Sequence, residues 1–320
     1  MSASKEPSTG DITLTFLGCG TLGTAILSGI LASIDEPTST STDTAASEEL
    51  SPAQTPSRFI ACVRRPESAK RIQQAVQKYK TPVTVLQNEN IEGVKSSHAV
   101  ILGCKPYMLD DVINVPGMRE ALKGKLLISI LAGVTAEQIE NTLYKGSSVP
   151  DADKCRVVRA MPNTAAVVRE SMTVINTTTP PLPPQSNALV KWIFSRVGRV
   201  AVLPPNLMDA STALAGSGPA FVALILEALG DGAVAMGLPR ADAQPMAAQV
   251  MRGMSAMVLA GEHPALIRDK TSTPGGCTIG GLLVLEEGSV RGTVARAIRE
   301  ATVVASQLGK GTKNVNGTRF

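Results

Sequence analysis

The sequence predicts a two-domain chain, with a doubly wound α/β domain over residues 1–204 and an all-α domain over residues 205–320. Strand-like and helix-like segments alternate through the first region, which is typical of a parallel sheet with helices on both faces. Beyond Pro205 no strand pattern follows, and long helical patterns rich in Ala, Leu, Met and Gly take over. A chain of 320 residues has room for two medium domains.

The composition excludes several classes of protein. Hydrophobic residues make up 43% and aromatic residues 3%, so the cores are aliphatic and no stacking platform for single-stranded nucleic acid is expected. The net charge of +4 comes without a long basic run, which argues against a nucleic-acid partner. The two histidines, His98 and His263, form no HExxH motif, so we expect no metal site.

Cysteine usage and the chain's apolar segments predict a cytoplasmic location. The five cysteines are widely spaced with no CxxC motif, which favours free thiols in a reducing compartment. Residues 1–10 are polar and lack the apolar core of a signal peptide. The apolar runs read as too short or too interrupted to span a bilayer, so no membrane partner is expected.

A glycine motif follows the first predicted strand. Residues 12–17 are rich in strand formers, GCGTLG follows at residues 18–23, and residues 24–34 have a helical pattern. In this strand–helix setting, Gly18 makes the tight turn and Gly20 lets backbone approach a pyrophosphate, while Gly23 lets helix and strand pack closely. The segment therefore predicts a Rossmann dinucleotide site.

The next segment is a predicted insertion, and the strand after it bears on cofactor choice. Residues 35–57 are almost all Ser, Thr, Pro, Ala and acid, and we interpret them as a flexible insertion without a functional motif. The strand at 58–63 ends in Arg64 and Arg65, where an NAD-preferring fold would place Asp or Glu. Two guanidinium groups suit a 2′-phosphate and favour NADP(H) over NAD(H), although a solvated arginine pair is the alternative.

The α/β alternation continues to residue 203. The apolar strand at 99–103 ends in Cys104, Lys105 and Pro106, and a residue at the carboxyl end of such a strand faces the ligand crevice. Lys105 is therefore a candidate contact, or else a surface lysine. The remaining predicted strands are 83–86, 126–131, 156–161, 171–176 and 199–203, and the predicted helices are 67–79, 90–97, 134–144 and 186–197.

The predicted helices of the second domain are 207–215, 219–236, 240–259, 279–287 and 290–308. The helix at 219–236 is apolar nearly all round, so we expect it to be buried. This surplus of apolar helix faces favours interlocking with a second subunit, with a compact monomeric bundle as the alternative.

Residues 272–282, STPGGCTIGGL, form a candidate anion site. Pro274 suits a first helical turn, and Gly275 and Gly276 leave their backbone open to a ligand. The amides of Cys277 and Thr278 are then free donors at a helix N-terminus, where a carboxylate binds well. The alternative is a Pro-Gly turn that caps a helix.

Several segments together resemble the Δ1-pyrroline-5-carboxylate reductase family. They are FLGCG at 16–20, CKP at 104–106, SILAG at 129–133, RAMPNT at 159–164, ALAGSGPA at 213–220, GLPR at 237–240, HP at 263–264 and STPGGCTI at 272–279. The resemblance implies reduction of the cyclic imine to L-proline with NADP(H) or NAD(H). It also implies homodimers formed through the helical domain, and higher assemblies such as a decamer.

The resemblance also implies roles for individual residues. The pyrophosphate would lie on the loop formed by Leu17, Gly18, Cys19, Gly20, Thr21 and Leu22, with Arg64, Arg65 and Asn90 along the adenosine part. The nicotinamide half would be flanked by Lys105, Pro106, Ile130 and Ala132, next to Gly103 and Cys104. Gly276 and the amides of Cys277 and Thr278 would hold the substrate carboxylate, with the Thr278 hydroxyl, the catalytic candidate, facing the ring nitrogen. The sequence departs from the family at Thr21, often Asn, and at Cys277, commonly Thr or Ala.

Two other functions remain open from the residues. A related NADP-dependent reductase of 2-hydroxy acids or imines would have this architecture, but such 2-hydroxy-acid enzymes usually carry a lysine in the helical domain. Residues 207–259 contain none. A non-catalytic NADP(H) sensor would need the glycine loop but not the STPGGCTI corner.

Overall fold

The computed structural model describes residues 12–35 and 55–309 of the chain. Most of the predicted insertion therefore lies outside the described residues, as do the two termini. Its predicted bounds of 35 and 57 are wrong at both ends, because Asp35 closes the first helix and Pro56 opens the second strand.

The first compact unit is built on an eight-stranded sheet in the order β3-β2-β1-β4-β5-β6-β7-β8. Every neighbouring pair is parallel except β6 and β7. The strands are β1 Ile12–Leu17, β2 Pro56–Val63, β3 Val83–Gln87, β4 Ala99–Leu102, β5 Leu126–Ser129, β6 Arg156–Met161, β7 Ser171–Asn176 and β8 Gly198–Leu203. The strand order reverses at β1, which lies between β2 and β4, so a ligand crevice is expected at the carboxyl ends of β1 and β4.

Helices cover both faces of this sheet. They are α1 Thr21–Asp35, α2 Pro66–Val76, α3 Asn90–Lys95, α4 Leu109–Ile113, α5 Met118–Leu122, α6 Ala136–Leu143, α7 Pro184–Ser195 and α8 Met208–Ser211. Short 3-10 segments lie at Pro106–Met108, Asp151–Asp153, Thr164–Val168 and Pro205–Leu207, and a π-helix at Thr212–Gly216 follows α8. The short helices α4 and α5 were not predicted.

The central strands β4 and β5 are buried on both faces, which explains their largely apolar sequences, whereas the edge strands β3 and β8 are partly exposed. Phe16 and Ile101 face one hydrophobic core, which α1 and α7 cover with residues such as Ile26 and Phe194. Leu17, Leu102 and Leu127 face the other core, to which α4, α5 and α6 contribute. These two cores position the strand ends that form the candidate site.

The second compact unit, residues 217–301, is entirely helical. It contains α9 Gly218–Ala235, α10 Arg240–Leu259, α11 Pro264–Thr271, α12 Cys277–Glu287 and the first part of α13 Val290–Leu308. The end of α13, from Thr302, belongs to the first unit, which otherwise extends to Gly216. The predicted functional boundary between residues 204 and 205 stays a prediction, and α11 was not predicted.

The apolar helix α9 is exposed within the single chain. Leu224 is 67% exposed and Leu229 50% exposed, and Gly230 is the buried residue of this helix. The expectation that residues 219–236 are buried is therefore wrong for one chain alone. Burial of this surface requires a partner surface.

One described segment, Pro205–Ala235, is long and apolar enough to cross a membrane by length and composition. This segment is long enough to span a bilayer, so of the two expected obstacles, shortness and interruption, only interruption applies to it. It is not one regular helix, because the π-helix Thr212–Gly216 separates α8 from α9. Glu227 and Asp231 also lie within α9, so the segment is weak evidence for a membrane span.

Candidate active site

The glycine loop between β1 and α1 is fixed by backbone contacts to the neighbouring strands. Gly18 has a φ of +82°, and a Cβ placed on it would lie 2.9 Å from the backbone nitrogen of Cys104. The amide of Cys19 donates a 3.0 Å hydrogen bond to the carbonyl of Cys62 at the end of β2. Only glycine at position 18 allows both the turn and the close approach to the β4 end.

Gly20 is the open position of the loop. It is exposed, and a Cβ added there would meet no atom within 4 Å. α1 begins at the next residue, Thr21, so the first amides of α1 are free donors beside this space. The residues present therefore fit a pyrophosphate, which needs open backbone and a helix N-terminus.

Gly23 fulfils the third role of the glycine motif. A Cβ on Gly23 would lie 3.3 Å from the Sγ of Cys19 and 3.7 Å from the Cδ1 of Phe16. The absence of a side chain at this position lets α1 pack closely on β1, as the motif predicts.

Arg64 and Arg65 lie exposed immediately after β2, on the side of β1 opposite β4. Arg65 is the N-cap residue of α2, whose first position is Pro66. Both arginines thus lie at the carboxyl end of β2, with exposed side chains. Asn90, which is half-buried, is the first residue of α3 and follows β3 on the far side of β2.

The ends of β4 and β5 form the other wall of the crevice. The amide of Gly103 donates to the carbonyl of Leu17 at 2.9 Å, and the amide of Ile130 donates to the carbonyl of Leu102 at 3.0 Å. Lys105 is exposed and Pro106 half-buried, at the start of a 3-10 turn. Ala132 is half-buried and follows Ile130 in the β5–α6 turn.

The cysteines of the first unit are poor candidates for thiolate chemistry. Burial raises the pKa of Cys19 and of Cys62 to about 12. Burial also raises the pKa of Cys104 and of Cys155 to about 11. These thiols stay protonated at neutral pH, and a thiolate is the reactive form.

The STPGGCTI corner, in the second unit, is a tight turn followed by a helix. The amide of Gly276 donates to the carbonyl of Thr273 at 3.0 Å, and Gly275 has a φ of +69°. Pro274 thus lies in the β-turn that precedes α12, and not in the first turn of the helix itself, which corrects the prediction for this residue. The turn requires a positive φ at its third position, which Gly275 provides.

α12 begins directly after this turn. Its N-cap is Gly276, which offers no side-chain cap, and its first two residues are Cys277 and Thr278. A Cβ on Gly276 would lie 2.5 Å from the Oγ1 of Thr273, so a side chain there would require Thr273 to shift. The first amides of α12 are therefore available to an external acceptor such as a carboxylate.

Sequence reasoning did not identify Asn163 as a structural link near the crevice. Its Nδ2 donates to the carbonyl of Ala215 at 2.9 Å, and its Oδ1 accepts from the amide of Ala165 at 3.0 Å. Asn163 follows β6, while Ala215 lies in the π-helix. The RAMPNT and ALAGSGPA segments are therefore in contact, and no periodicity in the sequence signals the π-helix.

The structure brings together most of the predicted cofactor residues. Those between Leu17 and Leu22, with Gly103, Cys104, Ile130 and Ala132, lie at the carboxyl ends of β1, β4 and β5. Gly276, Cys277 and Thr278 lie together in the second unit, at the start of α12. Among the described residues, no group of three or more His, Cys, Asp or Glu could hold a metal ion.

A doubly wound sheet with an open glycine loop at its switch point defines a Rossmann-type NAD(P)-binding protein. The family model for "Pyrroline-5-carboxylate reductase dimerisation" matches residues 205–308, and that for "NADP oxidoreductase coenzyme F420-dependent" matches residues 13–133. The chain belongs to the pyrroline-5-carboxylate reductase family. A relative of that name from Lophium arboricola is 60% identical over 100% of this chain and 99% of its own length.

Further relatives and solved structures agree. Pyrroline-5-carboxylate reductase of Neurospora crassa is 50% identical over 100% of both chains. The structure of such a reductase from Coxiella burnetii has a TM-score of 0.69 at 27% identity, covering 94% of this chain and 99% of that one. A Plasmodium falciparum pyrroline carboxylate reductase with NADP bound shares the fold, with a TM-score of 0.73 at 24% identity, covering 94% and 100%.

Proposed function

We propose that this chain reduces Δ1-pyrroline-5-carboxylate to L-proline, the final step of proline biosynthesis, with NADP(H) as its preferred cofactor and NAD(H) as the alternative. The observation that carries this proposal is the pairing of an open dinucleotide loop with a carboxylate-binding corner in one member of this family. The names of the relatives favour reduction of Δ1-pyrroline-5-carboxylate over reduction of a 2-hydroxy acid and over a non-catalytic sensor.

The glycine loop holds the pyrophosphate of the cofactor. Leu17, Gly18, Cys19, Gly20, Thr21 and Leu22 supply backbone around the open space next to Gly20. Arg64 and Arg65 pair with the 2′-phosphate, because exposed guanidinium groups at the end of β2 can donate two parallel hydrogen bonds to it. Asn90 lies further along the adenosine part.

The ends of β4 and β5 hold the nicotinamide half. When bound, NADPH supplies the hydride that is transferred to the imine carbon. Lys105, Pro106, Ile130 and Ala132 form the wall against which the ring is placed, with Gly103 and Cys104 beside them. Their task is to orient the ring and exclude water, which accounts for much of the rate enhancement in such reactions.

The corner before α12 holds the substrate. The amides of Cys277 and Thr278 donate to its carboxylate, and Gly276 lets the carboxylate approach because it has no side chain. The imine nitrogen becomes more basic as the hydride arrives, so a proton donor helps. The Thr278 hydroxyl faces this nitrogen and relays a proton from water, because a free threonine hydroxyl is too weak an acid to act alone.

The helical region forms a homo-oligomer, as the matched dimerisation model indicates. The exposed apolar residues of α9 support a homodimer as the basic unit, and a decamer built as a ring of dimers is the larger assembly that we propose. The five free cysteines, four of them with pKa values raised by burial, support a reducing, cytoplasmic location.

The decisive experiment follows NADPH absorbance with purified protein and Δ1-pyrroline-5-carboxylate, with NADH in parallel. We expect substrate-dependent oxidation that is faster with NADPH. In Arg64→Ala and Arg65→Ala the KM for NADPH should rise about tenfold while the KM for NADH stays constant, because a charge-assisted hydrogen bond is lost.

The matched control is Lys70→Ala, which removes an exposed cation further along α2. Its KM for NADPH should match that of the wild type. If folded protein binds NADPH but oxidises none with this substrate, the proposed reaction is wrong.

A further inference from the structure

The end of α13 is in backbone contact with the turn between β5 and α6. Gly133 in this turn has a φ of +72°, and a Cβ on it would lie 2.5 Å from the carbonyl oxygen of Ala305 and 2.8 Å from the Cβ of Leu308. A Cβ on Gly309 would in turn collide with the carbonyl oxygen of Gly133. Both positions need glycine, because any side chain would separate the two backbones.

Gln138 joins the same two segments through its side chain. Its side-chain Oε1 accepts a 2.8 Å hydrogen bond from the backbone amide of Thr135. The backbone amide of Gln138 in turn donates a 3.1 Å hydrogen bond to the Oγ1 of Thr135. This pair is the capping box of α6. The Nε2 of Gln138 donates a further 2.7 Å hydrogen bond to the carbonyl of Gly309.

The Nε2 contact is not needed for the helix cap. A capping box uses the side-chain oxygen at this position, and Glu serves it as well as Gln. The side-chain nitrogen Nε2 is therefore the atom of Gln138 that binds the end of α13, through the carbonyl of Gly309. Gln138 is half-buried, so this hydrogen bond is partly shielded from competing water.

The turn held in this way carries two residues of the proposed nicotinamide wall. Ala132 directly precedes Gly133, and Ile130 lies three residues before it. The turn is thus fixed at two points. The backbone amide of Ile130 donates to the carbonyl of Leu102 at the end of β4, and the side chain of Gln138 donates to the carbonyl of Gly309.

We propose that Gln138 is a positioning residue for the reduction, which holds the nicotinamide wall in place through its hydrogen bond to Gly309. Gly133 and Gly309 assist by allowing the backbone contact. The inference rests on the proposed function, because that function places Ile130 and Ala132 at the nicotinamide. Gln138 acts through the turn and does not itself contact the cofactor.

The test uses Gln138→Glu and Thr135→Ala in the full chain. Gln138→Glu keeps an oxygen that accepts from the amide of Thr135, but it cannot donate to the carbonyl of Gly309. Thr135→Ala removes the hydroxyl of the cap and keeps the Nε2 donor. The two variants therefore separate the contact with α13 from the stability of α6.

Four quantities are compared: amide hydrogen exchange over residues 130–135 without cofactor, affinity for NADPH, affinity for adenosine 2′,5′-bisphosphate, which lacks the nicotinamide, and kcat. In Gln138→Glu we expect about tenfold faster exchange and about fivefold weaker NADPH binding, the loss typical of one hydrogen bond. Affinity for the bisphosphate should stay constant, and kcat should fall. Thr135→Ala should bind both ligands like the wild type.

Wild-type exchange and wild-type NADPH affinity in Gln138→Glu would overturn the inference. Equal losses of NADPH affinity in both variants would also overturn it, because the effect would then come from the helix cap. If the wild type itself fails to bind NADPH, the proposed function fails, while the exchange measurement still decides whether Gln138 holds the turn.

Discussion

The carboxylate of Asp35 accepts a 2.7 Å hydrogen bond from the backbone amide of Lys80, which ties the end of α1 to the turn before β3. The hydroxyl of Thr81 donates to the other carboxylate oxygen at 3.4 Å. The chain on one side of the predicted insertion is therefore anchored independently of the insertion. On the other side, β2 is held by its parallel pairing with β1.

Removing residues 40–50 should leave the enzyme active. No functional motif occurs there, and shortening a loop changes closure entropy by only about 0.6 kcal/mol per twofold change in length. We expect unchanged kcat/KM and a Tm within a few degrees of the wild type, measured by NADPH oxidation and thermal unfolding. A folded deletion variant with reduced turnover would give the insertion a role.

Asp35→Ala removes the acceptor of the hydrogen bond from the Lys80 amide. It should therefore lower the free energy of unfolding by about 1 kcal/mol.

Gly18→Ala and Gly20→Ala should differ in their effect on stability. A methyl group at position 20 meets no protein atom but fills the space proposed for the pyrophosphate. Gly20→Ala should therefore keep the wild-type Tm and weaken NADPH binding more than tenfold, as measured by calorimetry. Gly18→Ala should have a lower Tm and weaker NADPH binding than the wild type, because Gly18 has a positive φ and a Cβ there would collide with the backbone of Cys104. Equal affinity of Gly20→Ala and the wild type would contradict the proposed placement.

Thr278→Ala should lower kcat by about 100-fold, the scale of one lost catalytic donor. Thr278→Ser keeps the hydroxyl and should retain most of the turnover. Cys277→Ala should change kcat little, because only the backbone amide of this residue is proposed to act. Steady-state kinetics with Δ1-pyrroline-5-carboxylate checks all three, and unchanged turnover in Thr278→Ala would remove this residue from the mechanism.

Asp209→Asn should destabilise the first unit. Arg159 is 5% exposed, and its Nε and one terminal nitrogen have no hydrogen-bond partner among the described residues. Burial lowers the pKa of Arg159, and the Asp209 carboxylate opposes that shift. Removing this negative charge leaves the buried cation less compensated, so we expect a loss of about 1–2 kcal/mol by urea unfolding. The control is Asp111→Asn on the exposed surface of α4, for which a loss of the same size would refute the argument.

Stability should fall as the pH rises above 9. Burial raises the pKa values of Cys19 and Cys62 to about 12 in the folded chain, from the ordinary thiol value of 9.0. Between these two values the unfolded chain releases protons that the folded chain keeps, so ionisation favours unfolding. Each thiol contributes a slope of up to about 1.4 kcal/mol per pH unit, and its stabilising effect is fully present below pH 9. Cys62→Ala should show a shallower slope in urea unfolding between pH 9.5 and 11; an unchanged slope would count against the assignment.

β4 and β5 could be predicted because each is a largely apolar run that is buried on both faces. β1, β6 and β7 begin and end at the predicted residues. α4 and α5 were missed because helices of five residues are too short to show a helical period. The burial of α9 was misjudged because the sequence reports that a helix is apolar, but not whether its own chain or a partner covers it.

In the candidate site, the glycine motif gave the open position at Gly20 correctly, because its spacing follows from local backbone geometry. Pro274 was misplaced because Pro suits both the first turn of a helix and the second position of a β-turn. The contact between Gln138 and Gly309 joins residues 171 positions apart, and no local pattern in the sequence reveals such a pairing.

The separation between Gln138 and Gly309 has a consequence for how the chain is made. A ribosome synthesises the glycine loop, β4 and β5 long before it reaches Gly309, so the sheet can assemble while Gln138 still lacks its acceptor. The β5–α6 turn is then closed only when the end of α13 has emerged. A nascent or prematurely terminated chain would therefore carry a formed dinucleotide loop beside an unfinished nicotinamide wall.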